Sequence, residues 1–154
     1  MPRSSAEAAL PPRLLELIET LDGLDRGERV EALISFAERF REVPERVARR
    51  PFPEARRVPG CESQAFVWSE ERAEGGLDFH FAVENPQGIS ARALAVILAD
   101  TLSGERPEAI AAVPAEVVER IFGPELSTGK SLGLAGMLQS VQREARRGAV
   151  RSGG

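Results

Sequence analysis

Apolar residues recur at helical spacing through the first forty positions of the chain. Leu14, Leu17, Ile18 and Leu21 fall on one helical face. Pro11-Pro12 ahead of them suits a first turn, because proline has no N–H to leave unpaired. Val30, Leu33, Ile34 and Ala37 make a second stripe, predicting a helix over about Glu28 to Glu42 between Gly27 and Pro44. Both stripes are expected to face a core, the ordinary use of an amphipathic helix. Prolines 44, 51, 53 and 59 then break any long helix and leave room for only a short helical turn around Glu45 to Arg49.

After Cys61 the period changes from 3.6 to two. Phe66-Val67-Trp68-Ser69 is strand-like, and Leu77, Phe79, Phe81 and Val83 alternate with Asp78, His80, Ala82 and Glu84. Gly75-Gly76 supplies the turn of a hairpin whose apolar side chains should meet helices and whose polar ones should meet water. Ala91 to Leu102 is apolar nearly all round, which predicts the most buried helix, capped at Ser103-Gly104. Pro107 and Pro114 start two short helices, the second near Ala115 to Phe122. A last helix runs from about Lys130 to Arg147 with Leu134, Met137, Leu138 and Val141 inward. Helices and strands are segregated along the chain. The expected class is therefore α+β, a small antiparallel sheet of two or three strands packed under several helices. Residues 1–150 should form one domain and 151–154 a disordered tail.

Composition narrows the function. The 154 residues are 42% hydrophobic and 29% charged, as in a globular protein able to bury a core without disulfides or a structural metal. The net charge of -4 argues against general nucleic-acid binding. No apolar run approaches the roughly 20 residues a membrane span needs, and the first residues lack the apolar core of a signal peptide. A cytoplasmic location is the expectation, and the lack of a second apolar surface pattern suggests a monomer.

One residue stands out chemically. Cys61 is the sole cysteine, and it closes Val58-Pro59-Gly60-Cys61, in which proline pre-sets the first central position of a type II turn and glycine accepts the positive φ of the second. A thiol at a turn exit is open to two readings: a reactive group held by a rigid sheet, or a small buried hydrophobe that does no chemistry. Seven arginines, Arg39, Arg41, Arg46, Arg49, Arg50, Arg56 and Arg57, stand against Glu42, Glu45 and Glu54 just before it. That charge would favour a thiolate, form a solvated face, or dock an acidic partner.

Several chemistries lack their residues. A cysteine protease or acyl transferase needs a base, and the only histidine, His80, lies on the polar side of the second strand. One cysteine and one histidine fall short of a zinc or iron–sulfur site, so no metal ligand set is assigned. No resolving cysteine and no phosphate-binding glycine pattern is present. A lone thiolate can still attack the outer sulfur of a persulfide, which needs one cysteine per protein.

Pro59-Gly60-Cys61-Glu62-Ser63-Gln64, followed by Val67-Trp68, resembles the cysteine signature of the SufE-like sulfur acceptors. Ile89 to Leu102, with Arg92 and Leu94, is similar to the helix after that family's hairpin. Leu126 to Met137 is similar to its late segment, with Lys130 in place of an arginine and Ser127-Thr128 in place of a proline neighbourhood. The resemblance covers about residues 12–147. It implies a fold like that of the IscU scaffolds and no cofactor. It also implies an accessory protein rather than a stand-alone enzyme, one that accepts persulfide sulfur from a SufS-type, pyridoxal-phosphate-dependent cysteine desulfurase, stimulates it, and relays the sulfur to a SufBCD scaffold. Cys61 falls on the acceptor position, with Gly60, Glu62, Ser63 and Gln64 as its supporting loop and Arg56, Arg57, Arg92 and Lys130 as candidate partner contacts. Arginine and lysine differ at bidentate sites, so no firm role passes to Lys130. Phe66 and Trp68 are expected to shelter the thiol. Two alternatives stay open: an activator of a desulfurase that carries no sulfur, and a thiol enzyme acting on a small molecule with His80 or an acid near Cys61.

Overall fold

Pro12 occupies the first position of helix α1 (Pro12–Asp22), where its missing N–H costs nothing, and Leu14, Leu15, Ile18 and Leu21 are buried along one face. The computed structural model describes residues 10–61, 63–123 and 128–153. Helix α2 (Arg26–Glu38) starts earlier than its apolar stripe suggests, because a capping box sets the start at Asp25. The Asp25 carboxylate accepts from the Glu28 N–H at 2.8 Å, and the Glu28 carboxylate accepts from the Asp25 N–H at 2.9 Å.

The expected inward face of α2 needs correction. Val30 and Ile34 are 50% and 43% exposed, no residue of the helix is fully buried, and Ala32, Leu33 and Phe36 make the contact with the core. Arg29 sets this rotation. Its guanidinium donates to the carbonyls of Arg120 and Ile121 at 2.6 and 2.8 Å and to that of Leu21 at 3.1 Å. Those bonds fasten α2 by a polar clamp that apolar periodicity does not register.

Strands β1 (Ala65–Glu71) and β2 (Leu77–Val83) pair antiparallel with Trp68 opposite His80, confirming a two-stranded sheet and the α+β class. Alternation sends Ala65, Val67, Leu77, Phe79, Phe81 and Val83 into the main core. The other face is less wet than expected. Phe66, Trp68 and Ala82 are buried there under Val43 and Phe52 of the proline-rich segment. Val43 N–H donates to the Phe81 carbonyl at 2.8 Å, so this segment runs as a strap beside β2.

Helix α3 (Ile89–Leu102) follows β2 and is the apolar helix expected, with nine buried residues. It packs along β2, with α1 and α2 on its other sides. Short helices α4 (Pro107–Ala111) and α5 (Val117–Phe122) lead to α6 (Thr128–Gly153), which lies along β1. The last helix continues through residues 151–153, beyond the Arg147 end read from the apolar pattern, and Gly154 is outside the described residues. No described helix is long and apolar enough to cross a membrane.

Candidate functional site

The loop between the 3-10 turn Glu54–Arg56 and β1 is built from short backbone ties. Val58 N–H donates to the Ala65 carbonyl at 2.8 Å, closing the loop at its base. Cys61 N–H approaches the Val58 carbonyl at 3.5 Å, and Gly60 has a φ of 72°, the turn expected from Pro59-Gly60. Gln64 N–H donates to the Cys61 carbonyl at 3.2 Å, and Gln64 itself takes the left-handed conformation at a φ of 55°. The far side is tied to the chain leaving β2: Glu84 N–H donates to Gln64 O and Asn85 N–H to Ser63 O, both at 3.1 Å. Ser63 and Gln64 thus hold the loop through backbone groups. Glu62 lies outside the described residues.

The floor under the loop is α6. A Cβ on Gly133 would lie 3.5 Å from Cys61 Cα and 3.8 Å from its Sγ, and one on Gly136 would lie 2.9 Å from the Pro59 carbonyl oxygen. Two glycines one turn apart let backbone meet backbone, and the Cys61 side chain points in. The thiol is free and the residue is 8% exposed. Cys61 borders a cavity of about 380 Å³ with Ser63, Asn85, Gln87, Ser90, Lys130 and Leu134 on its walls, and exposed Ile89 is also part of the lining. Its shelter is therefore α6 and the start of α3. Phe66 and Trp68 do not supply it, because strand alternation puts both on the opposite face of the sheet from the core cluster that contains Cys61.

The basic candidates separate. Lys130 alone among them shares the cavity with Cys61. Arg92 donates to the carbonyls of Pro86 and Val83 at 2.9 and 3.2 Å and so braces the β2–α3 connection. Arg56 is paired with Glu144, and Arg57 lies 3.4 Å from Glu54. His80 holds Glu70 with Nε2 2.6 Å from Oε1, and it borders a different cavity of about 510 Å³ that Cys61 does not enter. A histidine and thiol pair is not assembled. Among the described residues, no group of three or more His, Cys, Asp or Glu could hold a metal ion.

Sequence reading missed Asn85, Gln87, Gly88, Gly133 and Gly136. Asn85-Pro86-Gln87-Gly88 carries a turn signal, realised as Gln87 N–H donating to Asn85 Oδ1 at 2.9 Å. Gly133 and Gly136 stand three apart on one helical face, the spacing that allows a close backbone approach.

A family model for SufE, described as the Fe-S metabolism associated domain, matches residues 15–145. Among solved structures, the solution structure of a hypothetical protein from Thermus thermophilus is similar, with 26% identity and a TM-score of 0.73. The match covers 92% of this chain and 98% of that one. No curated protein matches the chain.

Proposed function

The chain belongs to the SufE family, a domain associated with Fe-S metabolism, and on that premise we propose that Cys61 is a sulfur carrier. It takes sulfur from the persulfide of a SufS-type cysteine desulfurase, which it also stimulates, and passes it to a SufBCD-type scaffold. The Cys61 thiolate attacks the outer sulfur of the donor persulfide, the donor's S–S bond breaks, and the donor cysteine leaves as a thiolate. Electrons balance without an outside oxidant, and no general base is required beyond loss of the thiol proton to solvent.

The observation that carries this reading is a single free thiol at the end of a tight turn, buried yet bordering a cavity. Burial shields a persulfide from reductants between donor and recipient, and the cavity leaves room for a second sulfur. Transfer then requires the Val58–Cys61 turn to expose Sγ on docking, with Gly60 as the flexible point. Lys130 lines the same cavity, and that supports it as a contact for a docked partner at the reaction centre. A thiol that must be reduced at the start of each cycle suits a cytoplasmic protein.

Intact-mass measurement after incubation with a cysteine desulfurase and cysteine tests the proposal. The expected result is a gain of one sulfur, removed by reductant and absent from Cys61→Ser. Undiminished stimulation of the desulfurase without that gain would instead establish an activator that carries nothing.

A further inference from the structure

The arginines just before Cys61 in the chain do not surround its thiol. Arg56 and Arg57 lie against the distal half of α6, around a small hollow of about 60 Å³ that Arg143, Glu144 and Arg147 complete. Glu144 organises the group: it is buried, paired with Arg56, and 3.7 Å from the Arg147 guanidinium. The other two arginines are less committed. Among the described residues, Arg57 reaches Glu54, itself 80% exposed, at 3.4 Å, and Arg143 donates to the neutral Ser140 hydroxyl at 3.1 Å. Among the described residues, these four guanidinium groups are set against the carboxylates of Glu144 and Glu54, on a chain of formal net charge -4.

Neutralising Glu144 explains Arg56 and Arg147. It does not explain Arg57 and Arg143, whose planar forks keep donors for a further carboxylate. A buried acid that fixes the neighbouring guanidinium groups lowers the ordering cost of binding such a carboxylate.

We propose that this cluster is a docking site for an acidic surface of the protein that donates sulfur to Cys61; the assignment of that partner rests on the carrier reading above. Helix α6 links the two places rigidly. Gly133 lines the same cavity as Cys61, and Arg143 and Arg147 follow ten and fourteen residues later, about 15 and 21 Å along the helix. Arg143 keeps donors to spare, so the partner should carry a carboxylate about 15 Å to one side of its persulfide. At that distance the arginines do not touch reacting atoms. They steer the encounter and hold the complex, an effect that salt weakens.

The test separates docking from transfer. Affinity for a cysteine desulfurase is measured with Cys61→Ser protein, alone and with Arg57→Glu/Arg143→Glu added, at low and high salt. The expected result is about a ten-fold loss of affinity at low salt that shrinks at high salt, with Arg57→Ala/Arg143→Ala intermediate. In the Cys61 background, the charge-reversed protein should take sulfur from a low-molecular-weight persulfide at the parent rate. Equal affinities at low salt, or a loss that salt does not reduce, would overturn the docking site. Salt-sensitive binding in a protein whose Cys61 never gains sulfur would support the docking site and count against the carrier reading alone.

Discussion

Gly136 of α6 lies so close to Pro59 that a Cβ on it would fall 2.9 Å from the Pro59 carbonyl oxygen, nearer than side chains pack against backbone, and 3.3 Å from Val58 Cγ1. The turn that presents Cys61 is thus seated directly on a helix backbone. Alanine is worth about 1 kcal/mol over glycine inside a helix. Gly136→Ala should nonetheless fail to stabilise the protein, because the turn must lift. At Gly133 the added Cβ meets Cys61 at ordinary contact distances of 3.5–3.8 Å. Gly133→Ala should therefore keep stability level or raise it by up to about 1 kcal/mol. Urea unfolding combined with iodoacetamide labelling checks both, with Cys61 reacting several-fold faster only in Gly136→Ala. Faster labelling in neither variant would show that the turn is not held by this contact.

Cys61 is 8% exposed, so the native thiol should be alkylated at least about ten-fold more slowly than in the urea-unfolded chain. Adding an active desulfurase partner without cysteine should raise the native rate if docking uncovers the turn. An unchanged rate would mean that the sulfur is reached through the cavity with the turn in place.

What the sequence discloses depends on how local the cause is. The Val58–Cys61 turn is legible because proline and glycine at its two central positions specify it within four residues. The hairpin and α3 follow from period and apolar content. The shelter of Cys61 is not legible in the same way. Alternation says that Phe66 and Val67 face opposite sides, but not which side lies under α6 and which under the strap. Val30 and Ile34 mislead for a related reason, since the Arg29 clamp that rotates α2 reaches carbonyls more than ninety residues away. Gly133 and Gly136 are visible as small residues on one face, yet what approaches them is settled only by the fold.

The strap over the second sheet face should matter for stability and not for sulfur chemistry. Phe52 meets Trp68 edge-on with centroids 5.1 Å apart and Phe66 at 5.3 Å. Phe52→Ala empties the centre of this cluster and should cost about 3 kcal/mol, the low end for a phenylalanine because its site is at the protein's rim. Denaturant unfolding would read the loss. Sulfur uptake by Cys61 in the folded fraction should be unchanged, since Phe52 and Cys61 belong to separate core clusters. Slower uptake would tie the strap to the loop.

Beside that cluster, Arg46 donates to Glu70 Oε2 at 2.7 Å and His80 Nε2 lies 2.6 Å from its Oε1. The Arg46 hydrogen bond, and then that of His80, hold the Glu70 carboxyl down from 4.5 to about 2. A carboxyl whose folded value lies below its unfolded one binds fewer protons in the native state between those two values. Its stabilisation is full above about pH 4.5 and is lost as pH falls toward 2. Glu70 is 37% exposed, so solvent screening keeps the contribution below about 1 kcal/mol. The chain's single tryptophan, Trp68, sits opposite His80 and gives a fluorescence signal for unfolding. Glu70→Gln should be less stable than the parent near neutral pH, and the two should converge as pH approaches 2. A stability gap that stays constant over that range would show that the Glu70 charge does not hold the strap, whatever its hydrogen bonds contribute.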